Sequence, residues 1–301
     1  MTTSDSSSWE KHTNIDREEL EDFLFNVGSW EEGKLQVDTY CVRPRVDRLD
    51  MADFINFLEK KYPYFVFSET EIERREWPGK DALKMADFDN DPSHSGKLGE
   101  LILFVLVDAI LNLPLICHKM SQRYDPVQEV KGSDGLFFGE FGEYDALGIG
   151  EAKIYKERTS GIRDALDSTE RFHGSDSHTK RQLELDVAAR SLSDDLTEEE
   201  LERIIEVLSS DPTQHRLIHP IFVGCEEKWL EDLQAECTEP DELKEKIRSR
   251  IADLDPMSYI QQKVETEFDT LRTEWLVFFL LPMEDVDEFR DQLQQAIFPH
   301  A

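Results

Sequence analysis

Basic residues are scarce in this 301-residue chain: 34 Lys and Arg stand against 66 Asp and Glu, a net charge of −32. Such a surface repels nucleic acid unless a local patch reverses the field. It suits a protein that avoids nucleic acid, or one that works in concentrated salt, where charge is screened over a few ångströms; the second reading points to a halophilic archaeon. Long apolar runs are missing too. The longest, LILFVLV at 101–107 and WLVFFLL at 275–281, fall well short of the ~20 residues of a membrane helix. MTTSDSSSWEKH at the N-terminus has no basic start leading into an apolar segment, so no membrane or secretory role is expected and the cytoplasm is the expected compartment.

Cysteine is sparse, with Cys41, Cys117, Cys225 and Cys237 far apart and no CxxC pair. That spacing supports neither a zinc framework nor a disulfide network, and buried reduced thiols are the expectation. His173 and His178 fall in a polar loop, RFHGSDSHTK. His215 and His219 straddle the start of a strand rather than sharing a helix face, so neither pair is read as a metal site. GxxxxGK[ST] is absent, which excludes an ATP-driven motor of that type within the chain. G-x-S-x-G is absent as well, as is any helix-turn-helix or zinc-knuckle signal.

What is present is an interleaving of helical and strand periodicities. A short helix is expected in DREELEDFLFNVG, a strand in KLQVDTYCV, a helix over 51–62 and a strand in YFVFS at 64–68. ADFDNDPSHSG, 86–96, is turn-rich and reads as a junction. A helix apolar nearly all round follows from Lys97 to about Asn112, then a strand in LPLICHKM (113–120) and a hairpin made of GLFFGE and ALGIGEAKIY. Helices are expected over 158–172, 179–192, after a Thr197 cap with Glu200 three residues on, within 241–254, over 258–273 and at the C-terminus; LIHPIFVGC and EWLVFFLLPM read as strands. The expected fold class is α/β, a mixed central sheet flanked by helices. Three regions are delimited: a disordered tail at 1–14, an N-terminal α/β region at 15–95, and 96–301 as a core with a C-terminal elaboration.

The hairpin carries the chemistry. Along ALGIGEAKIY, Leu147, Ile149, Glu151, Lys153 and Tyr155 share one face, and Ala146, Gly148, Gly150, Ala152 and Ile154 share the other, small enough for a helix to pack closely. An acid and a base thus sit together on a core-facing row, where burial without partners would cost several kcal/mol. Asp134, on the neighbouring strand, can approach the same spot. Two carboxylates and a lysine are the inventory for Mg²⁺-assisted phosphodiester hydrolysis: Asp134 and Glu151 as ligands, the Ala152 carbonyl as a further one, and Lys153 orienting water or stabilising the pentavalent transition state. Residues 117–171 hold eight basic and eleven acidic side chains, net −3, so the field is weakest around this hairpin.

G-S-D-G-L, the hairpin, G-E-A-K-I-Y and the helix that follows resemble the PD-(D/E)xK nuclease core. Together with S-G-K-L-G-E-L-I-L-F and L-I-C-H-K-M, they are similar to the HamA family, the nuclease component of the Hachiman anti-phage defence system. The likeness is specific over about residues 95–172, and Ser133 stands where the broader pattern has proline. It implies a restriction-endonuclease-like core, with Asp134 and Glu151 as metal ligands, Lys153 as the catalytic lysine and Glu100 as an accessory acid. Mg²⁺, replaceable by Mn²⁺, would be the cofactor, with DNA as substrate and a HamB-like helicase as partner. Lys119 and Lys131 are candidate phosphate contacts. Two other functions fit the residues: a restriction or repair nuclease on the same fold, and a non-catalytic acidic subunit of a helicase complex in which Glu151 and Lys153 are an ordinary salt pair.

Overall fold

The computed structural model describes residues 9–85, 95–116, 133–173, 195–209 and 215–297. The first half supplies α1 (Arg17–Glu21), β1 (Leu24–Glu32), β2 (Leu35–Val42), the two-residue strands β3 (Pro44–Arg45) and β4 (Arg48–Leu49), α2 (Met51–Val66), α3 (Glu69–Glu73), α4 (Pro78–Met85) and α5 (Ser95–Leu106). The second supplies β5 (Gly135–Phe141), β6 (Tyr144–Tyr155), α6 (Arg158–Glu170), α7 (Glu198–Ser209), β7 (Arg216–Glu226), α8 (Trp229–Glu236), α9 (Pro240–Leu254), α10 (Pro256–Thr266), β8 (Trp275–Met283) and α11 (Val286–Ile297).

Six strands form one sheet in the order β1-β2-β8-β7-β6-β5. The inner four run parallel, and an antiparallel strand closes each edge. Parallel strands are covered on both faces, and their sequences show it: Val277, Phe278 and Phe279 of β8 and Ile221, Phe222 and Val223 of β7 are all fully buried. On one face, α2, α5 and α11 pack over Ala152, Ile154, Phe222 and Phe279. On the other, α6 and α10 cover Ile221, Val223, Phe278 and Leu280. A smaller cluster, with Trp9, Phe138, Leu147, Ile149 and Ile204, lies beneath α7. The mixed sheet flanked by helices is the α/β fold expected. Among the described residues no helix is long and apolar enough to cross a membrane.

The sequence reading differs from the structure in several places. The first helix stops at Glu21, and LFNVG opens β1 instead. YFVFS is not a strand: α2 runs on to Val66 with Pro63 inside it. Proline ordinarily breaks a helix by removing one hydrogen bond and crowding the preceding turn. Here Phe54, Phe57, Leu58, Tyr62, Phe65 and Val66 lie on one buried stripe, and breaking the helix would expose its end. LPLICHKM gives only a short pairing beside β5, with Ile116 N–H donating to Leu136 O (3.0 Å) and Phe138 N–H to Pro114 O (3.1 Å); residues 117–120 lie outside the described part, as do the junction at 86–94 and the helix expected over 179–192. The sequence reading lacks three helices: α3 and α4, which follow α2, and α8, which follows β7.

Asp108, fully buried in a wide helical turn at Val107–Leu111, accepts the backbone N–H groups of Asn14 (2.7 Å) and Ile15 (2.8 Å) and ties the N-terminal segment to the core. Burial pushes its carboxyl up to about 8, against the pull of those two N–H groups and of Lys61. A raised carboxyl pKa means that the folded chain holds a proton the unfolded chain has lost, so stability falls as pH rises from the ordinary carboxylate range to about 8. The slope is at most about 1.4 kcal/mol per pH unit. Urea denaturation of the wild type at stepped pH should show that decline, and Asp108→Asn should flatten it.

Packing of α5 on β6 yields a second expectation. A Cβ at Gly150 would lie 2.7 Å from Leu103 Cδ2 and 3.2 Å from the Gly135 carbonyl oxygen, whereas one at Gly79 in α4 would meet nothing within 4 Å. Gly150→Val should therefore lower unfolding free energy by about 1–3 kcal/mol. Gly79→Ala should raise it by up to about 1 kcal/mol in the same denaturation experiment.

Candidate functional site

The β5–β6 hairpin turns at Gly142, whose φ of +68° suits glycine. Its register sets Gly135 opposite Gly150, which leaves Asp134 just beyond the end of β5 and level with Glu151. There Asp134 continues the ladder by other means. Its N–H donates to Gly150 O (2.9 Å), and its carboxylate Oδ2 accepts the N–H of Ala152 (2.8 Å) where the next strand carbonyl would have been. The N–H and C=O of one strand residue point to the same edge, so the Ala152 carbonyl also faces the side on which β5 has ended.

Glu151 projects from the opposite row toward α6. It is only 5% exposed, pairs with the Lys153 ammonium and bonds the Ser168 hydroxyl of α6. Lys153 is half-buried beside it. On the other face, α5 comes down onto the small side chains: a Cβ at Gly99 would sit 3.3 Å from Ala152 Cβ. That approach brings Glu100 within electrostatic reach of Asp134. Glu100 is the sixth residue of α5, beyond the first turn, so the helix dipole does not account for an acid there. Asp134 thus stands at the sheet edge, with Glu100 on one face and Glu151 on the other.

The electrostatics are those of a site short of positive charge. Burial raises the Asp134 carboxyl to about 7, aided by the charges of Glu151 and Glu100 and opposed by the Ala152 N–H and Lys153. Burial also raises Glu151, although Lys153, Ser168 and Arg171 pull the other way. Lys153 is lowered by burial but raised more by Glu151 and Asp134, so its net shift is upward and it stays an ammonium. Three carboxylates around one close lysine suit a bound cation held through oxygen. A cavity of about 650 Å³ elsewhere, lined by Arg48, Glu231, Gln234, Glu284 and Asp285, touches none of these residues.

The structure therefore brings Asp134, Glu151 and Lys153 together beside Ala152, with Glu100 within electrostatic reach of Asp134. Lys119 and Lys131 lie outside the described residues, as do His178 and Cys117, while Cys41, Cys225 and Cys237 are buried free thiols. One grouping escaped the sequence reading. His173 does not stand alone in a polar loop: its Nε2 is 2.8 Å from Nε2 of His219, and Glu274 is close by. Their separations of 46 and 55 positions in the chain hide the cluster from any local pattern.

No curated protein matches the chain. The sequence model of the HamA family matches residues 18–297, nearly its whole length. The chain belongs to the HamA family, a component of the Hachiman defence system.

Proposed function

We propose that the chain is a metal-dependent nuclease effector that hydrolyses phosphodiester bonds in DNA, with its site on the β5–β6 hairpin. The observation that carries this reading is the convergence of Asp134, Glu151 and Lys153 at the point where β5 ends, with the Asp134 carboxylate bonded to the Ala152 N–H between the other two. Asp134 and Glu151 would hold Mg²⁺, or Mn²⁺ in its place, with the Ala152 carbonyl as a further oxygen donor and Glu100 as an accessory acid. The donor set fits: all oxygen and carboxylate-rich. When bound, the ion supplies Lewis-acid polarisation of the phosphate and a bound water of lowered pKa.

The chain's own residues do the rest. Lys153, kept protonated by Glu151 and Asp134, offers a fixed ammonium to a phosphate oxygen as charge builds there. Ser168 and Lys153 hold the Glu151 carboxylate in one orientation, and the Ala152 N–H does the same for Asp134. Membership of a multi-component defence system supports a partner, and the helicase implied by the family resemblance fits a chain without a nucleotide-binding loop of its own. With 32 excess negative charges, the subunit would take DNA from that partner's groove rather than capture it alone.

Plasmid cleavage with Mg²⁺, in dilute and in molar salt and with and without the helicase, tests the reading. Lys153→Met should slow cleavage on the order of 10²–10³-fold, the usual cost of losing one electrostatic stabiliser, and Glu151→Ala should abolish it, both with folding intact. If both variants cut like the wild type, or no condition gives cleavage, the hairpin is structural and the chain serves as an acidic docking subunit.

A further inference from the structure

His173, His219 and Glu274 come from three separate segments. His173 follows the C-terminus of α6, its N–H bonded to Glu170 O (2.8 Å). His219 is the fourth residue of β7, 1% exposed and level with Leu276 of β8. Glu274 immediately precedes β8, its N–H bonded to Leu271 O (3.1 Å). The two imidazole rings meet edge to face, with centroids 4.9 Å apart at 76°. Glu274 Oε1 lies 3.7 Å from His173 Nδ1. One ligand atom from each of the three falls within 4.8 Å of the other two, and among the described residues no other trio of histidine, cysteine, aspartate and glutamate does so. The hairpin acids are not part of it.

We propose that His173, His219 and Glu274 form a transition-metal site, zinc by preference, that pins the end of α6 to the leading ends of β7 and β8. Two nitrogens meeting at 2.8 Å share one proton, one ring donating and the other accepting. A metal ion takes the place of that proton, which shifts to the other nitrogen of the donor ring, so both rings bind as neutral imidazoles. Tetrahedral coordination at about 2.0–2.1 Å sets two nitrogen ligands about 3.3 Å apart, so the rings need part by only about half an ångström. Two imidazoles and one carboxylate select zinc or a neighbouring transition metal over Mg²⁺, which prefers oxygen. A water completes the fourth position.

The site is distinct from the hairpin. In the β6–β7 register Glu151 lies level with Ile221, two residues along the strand from His219, which puts their Cα atoms roughly 8 Å apart at ordinary strand spacing. They share a face of the sheet, and α6 spans both, giving Ser168 to Glu151 and, past its end, His173 to His219. The metal would thus fix the far end of the helix that orients Glu151. It does not depend on the nuclease reading.

The test uses the full chain, stripped with chelator and titrated with Co²⁺ and, separately, Zn²⁺. With excess Mg²⁺ present to fill the hairpin acids, one equivalent should bind, with the visible absorption of Co²⁺ in a low-symmetry nitrogen–oxygen site, displaced by Zn²⁺. Zn²⁺ should raise the melting temperature. His173→Asn and Glu274→Gln, at partly exposed positions where folding is retained, should each weaken binding at least tenfold, while Glu151→Ala should leave it unchanged. Absence of a stoichiometric Co²⁺ band would overturn the proposal. So would undiminished binding in the His173 and Glu274 variants, or loss of the band in Glu151→Ala, which would put the metal in the hairpin.

Discussion

The seat of α5 on β6 is the contact on which the candidate site depends. It requires small residues on both sides: a Cβ at Gly99 of the helix would meet Ala152 and Ile154, and one at Gly150 of the strand would meet Leu103, Phe137 and the Gly135 carbonyl. Leu101, Ile102, Leu103, Phe104 and Val105 of α5 are fully buried, so this helix belongs to the core on every side and cannot shift without disturbing several neighbours. Glu100 is carried on that rigid element. The hairpin is fixed equally firmly, by β7 on one side and by Asp134 closing its open end.

That arrangement creates the electrostatic tension of the site. Close packing buries Glu151 and most of Asp134, and burial is the largest contribution to the upward shift of both carboxyls. A lone lysine offsets part of this. Elsewhere on the surface the many acids meet water or nearby bases, as in the exposed pair of Lys244 with Asp241, and such pairs contribute little to stability. The acids that matter are the few drawn into the packing between sheet and helices.

Much of this was legible in the sequence because it is local. Alternation along ALGIGEAKIY sorted the small residues from Glu151 and Lys153 before any tertiary contact was known, and Asp134 lay within one hairpin's reach. The sheet's order was not legible: nothing near Leu35 announces that β2 will lie against β8 rather than beside another early strand. YFVFS misled because its aromatic and β-branched residues favour strands, while the stripe shared with Phe54 and Leu58, which made it helix, began ten residues earlier. The two histidines failed to register for the same reason as the strand order, since His173 and His219 become neighbours only when α6 folds back along the sheet.

The strand order also bears on when the protein comes into being during synthesis. β8, at Trp275–Met283, is wedged between β2 and β7, so the middle of the sheet leaves the ribosome after all five other strands. Until then β2 and β7 have no common neighbour, and pairings of such wide sequence separation form slowly. A nascent chain can already hold the β5–β6 hairpin, yet it lacks the finished sheet that supports α5 and α6 on either side of it. The helices on either side of the hairpin thus gain their full support only once β8 has paired with both β2 and β7.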